Sequence, residues 1–360
     1  ERADLIRRGI IDDPNNRKPL SEALTFVGTC MDMCPMFERE ERQFQKSVDK
    51  LEIDPANGLI DPRKAVKAFH RPAAGNESAL PSDVRPPKVL VWTLDYLVKD
   101  IVGENPDLMS THGFVRDRTR GIRQDFTLQN YRGLETIDCH ERIARYHILC
   151  IHQLAQDDRF VLQQEMEQLQ KCMTTLNELY DDAKKDGIPC PNEPELRAYQ
   201  IIVYIHDTEC QRAAQKWGFA DTETGVQQAL RLHQAAFKNA PRFFNLLRRR
   251  ETTYLMGCIA EAHFYHIRKE HFRKMRQAYN KDATSVTLAD VERQLAFDHR
   301  SDLDRYLEHF GIETALDGQG EEYIVPNRNF DGMADRNSPR AYNLGLSPSQ
   351  SPANDDSSNS

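Results

Sequence analysis

Two sets of residues in this chain could do bond chemistry. Cys30 and Cys34, four positions apart, could offer thiolates to a metal. A structural zinc site takes four ligands, usually as two close pairs. No second Cys or Cys/His pair follows at a suitable spacing, and His70 and His112 are isolated in the sequence. With Met31, Met33 and Met36 alongside, a buried packing or helix-entry role is preferred, because thioethers fill irregular apolar gaps. Cys139 beside His140, with His147 further along, suggests a nucleophile and its base. Adjacent residues on a helix point in different directions, and no phosphate loop, nucleophile elbow or metalloprotease helix occurs. No enzyme activity, cofactor or metal is expected.

The other chemical resource is arginine, whose planar fork of donors grips carboxylate or phosphate. Arg116, Arg118, Arg120 and Arg123 can share helical faces, but Asp117 and Asp125 are interleaved and Glu135, Asp138 and Glu141 follow. An internal ion-pair network is preferred there over nucleic-acid contact. Arg248, Arg249 and Arg250, and the run from His266 to Lys281, differ. In that run Arg268, Lys269, Arg273, Lys274, Arg276 and Lys281 meet one acid, Glu270. Phe264, Ile267, Phe272, Met275 and Tyr279 form the expected buried stripe, leaving the cations outward toward a phosphate backbone. Each phosphate neutralised on duplex DNA adds about −0.9 to the salt slope of binding. A merely solvated face remains the alternative.

The elements that would position these groups are almost all helical. Met36–Leu51 reads as a helix entered at Pro35, with Phe37, Phe44, Val48 and Leu51 on one stripe. Prolines at 55, 62, 72, 81, 86 and 87 make residues 54–87 an extended connection, draped over the domain. Val89–Val102 is amphipathic through Leu90, Leu94, Leu97 and Ile101. Helical patterns follow at 108–129, 134–155, 158–184, 194–206, 208–217, 223–238 and 241–279, the last broken near Arg250. No fixed period recurs, so an irregular stack of helix hairpins is expected rather than a repeat array.

After Asn280 the pattern changes. Thr287 caps a short helix carrying Leu288, Val291 and Leu295. A second helix holds Leu303, Leu307 and Phe310 inward and closes at Gly311. Ile312–Leu316 and Glu321–Val325 then flank the turn residues 317–320, as in a hairpin. Helix, short helix, helix and hairpin is the order of a winged helix. Its second helix exposes Asp302, Asp304 and Glu308 beside only Arg300 and Arg305, whereas base reading favours Arg, Lys, Asn and Gln. That helix is expected to pack on a partner. Residues 328–360, rich in Asn, Ser, Asp and Pro, should be disordered.

The chain has 360 residues, 39% hydrophobic and 29% charged, with a net charge of -8. That balance excludes a general nucleic-acid coat, while screening beyond about 10 Å still permits local basic patches. No apolar run approaches the ~20 residues of a membrane span, no signal-peptide pattern opens the chain, and a soluble protein is expected. Glu1 in place of Met predicts a fragment or processed chain. Eight scattered cysteines predict reduced, mostly buried thiols of an intracellular protein.

Two stretches carry a resemblance beyond architecture. One is Val27-Gly28-Thr29-Cys30-Met31-Asp32-Met33-Cys34-Pro35 with Glu38-Arg39-Glu40-Glu41-Arg42. The other is Phe114-Val115-Arg116-Asp117-Arg118-Thr119-Arg120-Gly121-Ile122-Arg123-Gln124-Asp125-Phe126 with Cys139-His140-Glu141-Arg142-Ile143-Ala144-Arg145-Tyr146-His147. With Trp92–Leu97 between them, the chain resembles, over about residues 25 to 325, the family of germinal-centre-associated nuclear protein (GANP) and the yeast suppressor-of-actin scaffold.

The resemblance implies a mainly α fold, an irregular PCI/TPR-like helical superhelix ending in a winged helix. The expected divisions are an extended N-terminal segment (1–87), a helical stack (88–280), the winged helix (281–327) and the tail (328–360). It implies a nuclear mRNA-export scaffold at the nuclear pore that couples transcription to export. Its partner would be a second PCI-domain subunit carrying a small acidic protein shared with the proteasome lid. Two adjacent winged helices would then hold RNA or DNA with little sequence preference. Partner-facing candidates are Arg300, Leu303, Arg305, Tyr306 and Tyr323. Pore and other export-complex contacts fall to regions outside this stretch. Two rivals remain: a structural PCI subunit of a lid- or initiation-type assembly without nucleic-acid contact, and a sequence-specific winged-helix regulator.

Overall fold

Prolines and capping side chains set the helix boundaries. Pro87, Pro194 and Pro241 each occupy the first turn of a helix, where a missing N–H costs nothing. Asp107, Asp207, Asn239, Thr253 and Thr287 each accept a backbone N–H of the helix that follows. The computed structural model describes residues 2–12, 24–71, 79–219, 222–278 and 286–325, without the side chains of 276–278. Tyr279, Lys281 and the tail therefore lie outside the described residues, as does the Arg276 side chain.

In chain order the helices are α1 (Arg2–Arg7), α2 (Met36–Phe44), α3 (Pro87–Tyr96), α4 (Leu108–Leu128), α5 (Leu134–Gln153), α6 (Leu162–Lys185) and α7 (Glu193–Val203). They continue with α8 (Thr208–Lys216), α9 (Thr224–Ala236), α10 (Ala240–Leu247), α11 (Tyr254–Glu261), α12 (Phe264–Ala278), α13 (Leu288–Gln294) and α14 (Arg300–Phe310). The strands β1 (Thr314–Leu316) and β2 (Glu322–Ile324) form an antiparallel hairpin pairing Ala315 with Tyr323. The expected mainly helical architecture is what the chain adopts, and the interruption expected near Arg250 separates α10 from α11. No described helix is long and apolar enough to cross a membrane.

The chain divides into two compact units. The first takes residues up to His147 together with Lys171–Cys190. In it α3 runs into a π-helical turn, Leu97–Val102, and both pack on α4. The segments before α3 cross α4 as an extended strap, with Ala65, Val66 and Val84 fully buried. The second unit takes Ile148–Gln170 and the described residues from Pro191 onward. There α7 packs on α8, α9 and α11, while α10 packs on α9, α12 and α13. Gly311, at φ 63, closes α14 as expected of a helix-terminating glycine.

Helix α2 overturns one expectation. It stops at Phe44, two residues before Lys46 turns left-handed at φ 55, and its inward residues are charged. Glu38 and Arg42 are buried, whereas Phe37 is 73% and Phe44 88% exposed. The apolar stripe faces outward because partners for charge, not for hydrocarbon, lie beneath it. Arg42 donates to Glu52 at 2.5 Å, to the Val66 carbonyl and to the Cys34 sulfur at 3.2 Å each, and Glu38 accepts the Ala68 N–H at 2.7 Å.

Candidate nucleic-acid interface

The two stretches that carry the family resemblance fold onto each other around a buried polar lattice. Asp125 of α4 accepts from Lys67 and from Arg85 Nε, each at 2.7 Å. Glu52 accepts from Arg42, from Arg118 at 3.0 Å and from the Val66 N–H at 2.8 Å. Gln129 bridges the chain ends of this arrangement, accepting the Gly28 N–H and donating to the Arg85 carbonyl, both at 2.8 Å. Asp117 accepts the Phe69 N–H, and the Arg120 guanidinium lies 3.9 Å over the Phe69 ring. An internal ion-pair network is thus the role Arg118 and Asp125 play. Burial lifts the Cys34 thiol to about 12, with Glu38 adding to the effect.

Cys139 and His140 are also buried. Burial pushes that thiol up to about 12 and the His140 imidazole down to about 4. An activated Cys–His pair needs the opposite shift of its thiol.

The second unit redistributes the expected cations. Arg268 is 2% exposed, which corrects its placement on an outward face. Its Nε donates to the Leu295 carbonyl at 3.0 Å and a terminal nitrogen to the Ala296 carbonyl at 2.6 Å, with the Phe297 ring 4.0 Å away. The arginine fastens the loop after α13 onto α12. Burial pulls its pKa down to about 10. Arg273 pairs with Glu270 at 2.8 Å, Lys274 contacts Glu270 and the Phe237 carbonyl, and Lys269 is half-buried. Most of the expected cationic face on α12 is therefore neutralised or enclosed among the described residues.

Leu303 and Tyr306 need a similar correction. They are 0% and 1% exposed, and Tyr306 sits among Phe272, Phe297 and Phe310 with ring centroids 4.7–5.5 Å away. They are core residues of the module made by α13, α14 and the hairpin, and cannot face a partner. Asp302, expected outside, is buried as well. Arg300 pairs with Asp304 and Glu322, Arg305 with Asp302, and Tyr323 is half-buried on β2 with a bridge to Thr287.

Free positive charge gathers instead around the turn between α9 and α10. Arg231, Asn239, Pro241, Arg242, Asn245, Leu246 and Arg249 line an open groove of about 440 Å³. Arg231, Arg242 and Arg249 are exposed, and so are Arg248 and Arg250 beside them. No carboxylate lines the groove, and none among the described residues pairs with Arg231, Arg242, Arg249 or Arg250. The first turn of α10 forms part of the wall, so the positive end of that helix's dipole faces the groove, although Asn239 already caps the Arg242 N–H. Arg248 reaches the Arg293 carbonyl of α13 at 3.3 Å, tying the cluster to the terminal module. Sequence reading found Arg248–Arg250 but missed Arg231 and Arg242. They are isolated cations, and only the Asn239-Ala240-Pro241 turn brings them together.

A model of the SAC3/GANP family matches residues 33–315. The chain belongs to the SAC3/GANP family. It is 48% identical over 350 residues to SAC3 family protein 1 of Schizosaccharomyces pombe, covering 91% of this chain and 34% of that protein. It is 31% identical to Protein xmas of Drosophila melanogaster over 88% of the chain and 16% of the relative. SAC3 family protein B of Arabidopsis thaliana is 26% identical over 84% and 18% respectively. The chain thus spans about a third or less of each of these relatives. The matched SAC3/GANP region holds most of the buried lattice and all of the groove.

Proposed function

We propose that this chain is the scaffold core of a nuclear mRNA-export assembly that couples transcription to export at the nuclear pore. In this reading the terminal module is a winged helix that docks a second PCI-domain subunit, itself carrying a small acidic protein shared with the proteasome lid. RNA or DNA lies along the Arg231–Arg242–Arg249 groove and the Arg248–Arg250 loop. Family membership supports the scaffold role. The observation that carries the nucleic-acid part is the groove itself: arginines without carboxylate partners beside a helix N-terminus, in a chain of net charge -8. Arginine forks favour phosphate, and the positive end of the α10 dipole adds to them.

The work done is positioning and avidity. Two modest basic surfaces on paired subunits raise retention well above either alone. The test is salt-dependent binding of single-stranded RNA and duplex DNA by the assembled subunits, wild type against R231E/R242E/R249E. Loss of three phosphate contacts should flatten the single-strand salt slope by about 2, at about 0.7 per phosphate. An unchanged slope would favour a purely structural subunit instead.

A further inference from the structure

Helix α2 is built inside out. A helix on a protein surface ordinarily buries hydrocarbon and shows charge to water. Here Glu38 and Arg42 are the buried positions and the two phenyl rings are among the most exposed large apolar groups described. The register cannot slip, because Arg42 is held by Glu52, Val66 and Cys34 and Glu38 by the Ala68 N–H. Rotating α2 to bury Phe37 would strand two charges, so the outward rings are fixed by the lattice below.

Residues seven apart on an α-helix nearly eclipse one another, which aligns Phe37 with Phe44. Glu40 and Glu41 fall between them on the same face, within an arc of about 100°. Both glutamates are exposed, and neither pairs with a cation among the described residues. Of the helix's own cations, Arg42 is buried and Arg39 is tied to Asp32 at 3.0 Å with 12% of its side chain exposed. The outward face therefore combines two aromatic anchors with two uncompensated negative charges. Rigid aromatic anchors of this kind are typical of binding hot spots.

We infer that the Phe37–Glu40–Glu41–Phe44 face of α2 is a docking ridge for a basic amphipathic helix of a protein partner. Apolar residues of that helix cover the two rings, and flanking Lys or Arg side chains meet Glu40 and Glu41. The charge of the ridge selects this occupant: an acidic helix would be repelled, and a second copy of α2 would bring glutamates against glutamates. The site belongs to the first unit and is separate from the groove of the second, so it adds a contact to the proposed scaffold role without resting on the nucleic-acid reading.

The test uses the full chain and a defined probe, a hydrocarbon-stapled 14-residue helix with Leu at the a and d positions and Lys at e and g. Fluorescence anisotropy should show saturable binding that weakens at least tenfold in F37S/F44S and in E40K/E41K. The same peptide with Glu at e and g should not bind the wild type. Both variants should keep the wild-type Tm, since both rings are mostly exposed. Equal binding by the variants, or equal binding of the Glu peptide, overturns the proposal. A fall in Tm for F37S/F44S would make the rings packing residues and would also overturn it. Sedimentation showing self-association lost in F37S/F44S would assign the face to a second copy instead.

Discussion

Arg85 Nε and an Asp125 carboxylate oxygen meet at 2.7 Å, with neither side chain exposed to solvent. Arg85 ends the strap and Asp125 belongs to α4, so this pair closes the first unit across forty positions of sequence. Breaking an isolated buried pair costs about 3–5 kcal/mol, and because Asp125 keeps Lys67 at 2.7 Å the loss of Arg85 should cost less than that. Arg85→Met should lower the urea midpoint by a corresponding amount at unchanged m-value. A loss below about 1 kcal/mol would mean that the surrounding groups, not this pair, hold the strap.

Gly28 is required for close approach rather than for a turn. A Cβ built there would stand 2.2 Å from the Val84 carbonyl oxygen and 2.6 Å from its carbon. Both are backbone atoms and cannot swing aside. Gly28→Ala should therefore lift the strap, with an overpacking cost of about 1–3 kcal/mol. The neighbouring amides of Thr29 and Cys30, which donate to Pro81 and Val84, should lose hydrogen-exchange protection. Unchanged protection in the variant would show that the strand can yield locally.

Helix positions were legible in the sequence because apolar periodicity and punctuation agreed, as at Asn239-Ala240-Pro241 and at Gly311. The hairpin was legible too, because Asp317-Gly318-Gln319-Gly320 interrupts two short apolar runs. Side-chain facing was less legible wherever charge is buried. Phe37 and Phe44 suggest an inward stripe to any periodicity argument, and only the presence of Glu52 and Val66 beneath α2 reverses it. Arg268 was misplaced for the same reason: its partners are the carbonyls of Leu295 and Ala296, and backbone acceptors leave no mark in residue types. Arg231 and Arg242 were missed because their proximity exists only once α10 folds back on α9.

Arg268 distinguishes a fastening cation from a phosphate-binding one. Arg268→Lys keeps the charge but cannot reproduce both bonds to Leu295 and Ala296 or the stacking over Phe297. An unsatisfied buried carbonyl costs about 1–3 kcal/mol, so the variant should be destabilised by about that much. Limited proteolysis should cut sooner between α12 and β2 than in the wild type. The salt slope of RNA binding by the assembled subunits should stay the same. A changed slope with unchanged proteolysis would restore Arg268 to the phosphate-facing set.

Two of the buried imidazoles, His140 and His263, work against the fold in acid. Burial lowers His140 to about 4 and His263 to about 3, with neighbouring His206 and His266 adding to the latter. An unfolded histidine titrates near 6.5. Between that value and the lowered ones, the unfolded chain binds protons that the folded chain refuses. Their contribution is therefore complete above pH about 6.5 and is lost as pH falls toward 4. His152 acts in the opposite sense. Its hydrogen bond to Glu261 raises its pKa despite partial burial, so its contribution is complete below about 6.5 and fades as pH rises through the raised value. Urea unfolding at stepped pH should show His140→Gln with a shallower acid slope and His152→Gln with a shallower decline on the alkaline side. Identical profiles for wild type and both variants would remove these histidines from the account and leave the carboxylates to explain acid unfolding.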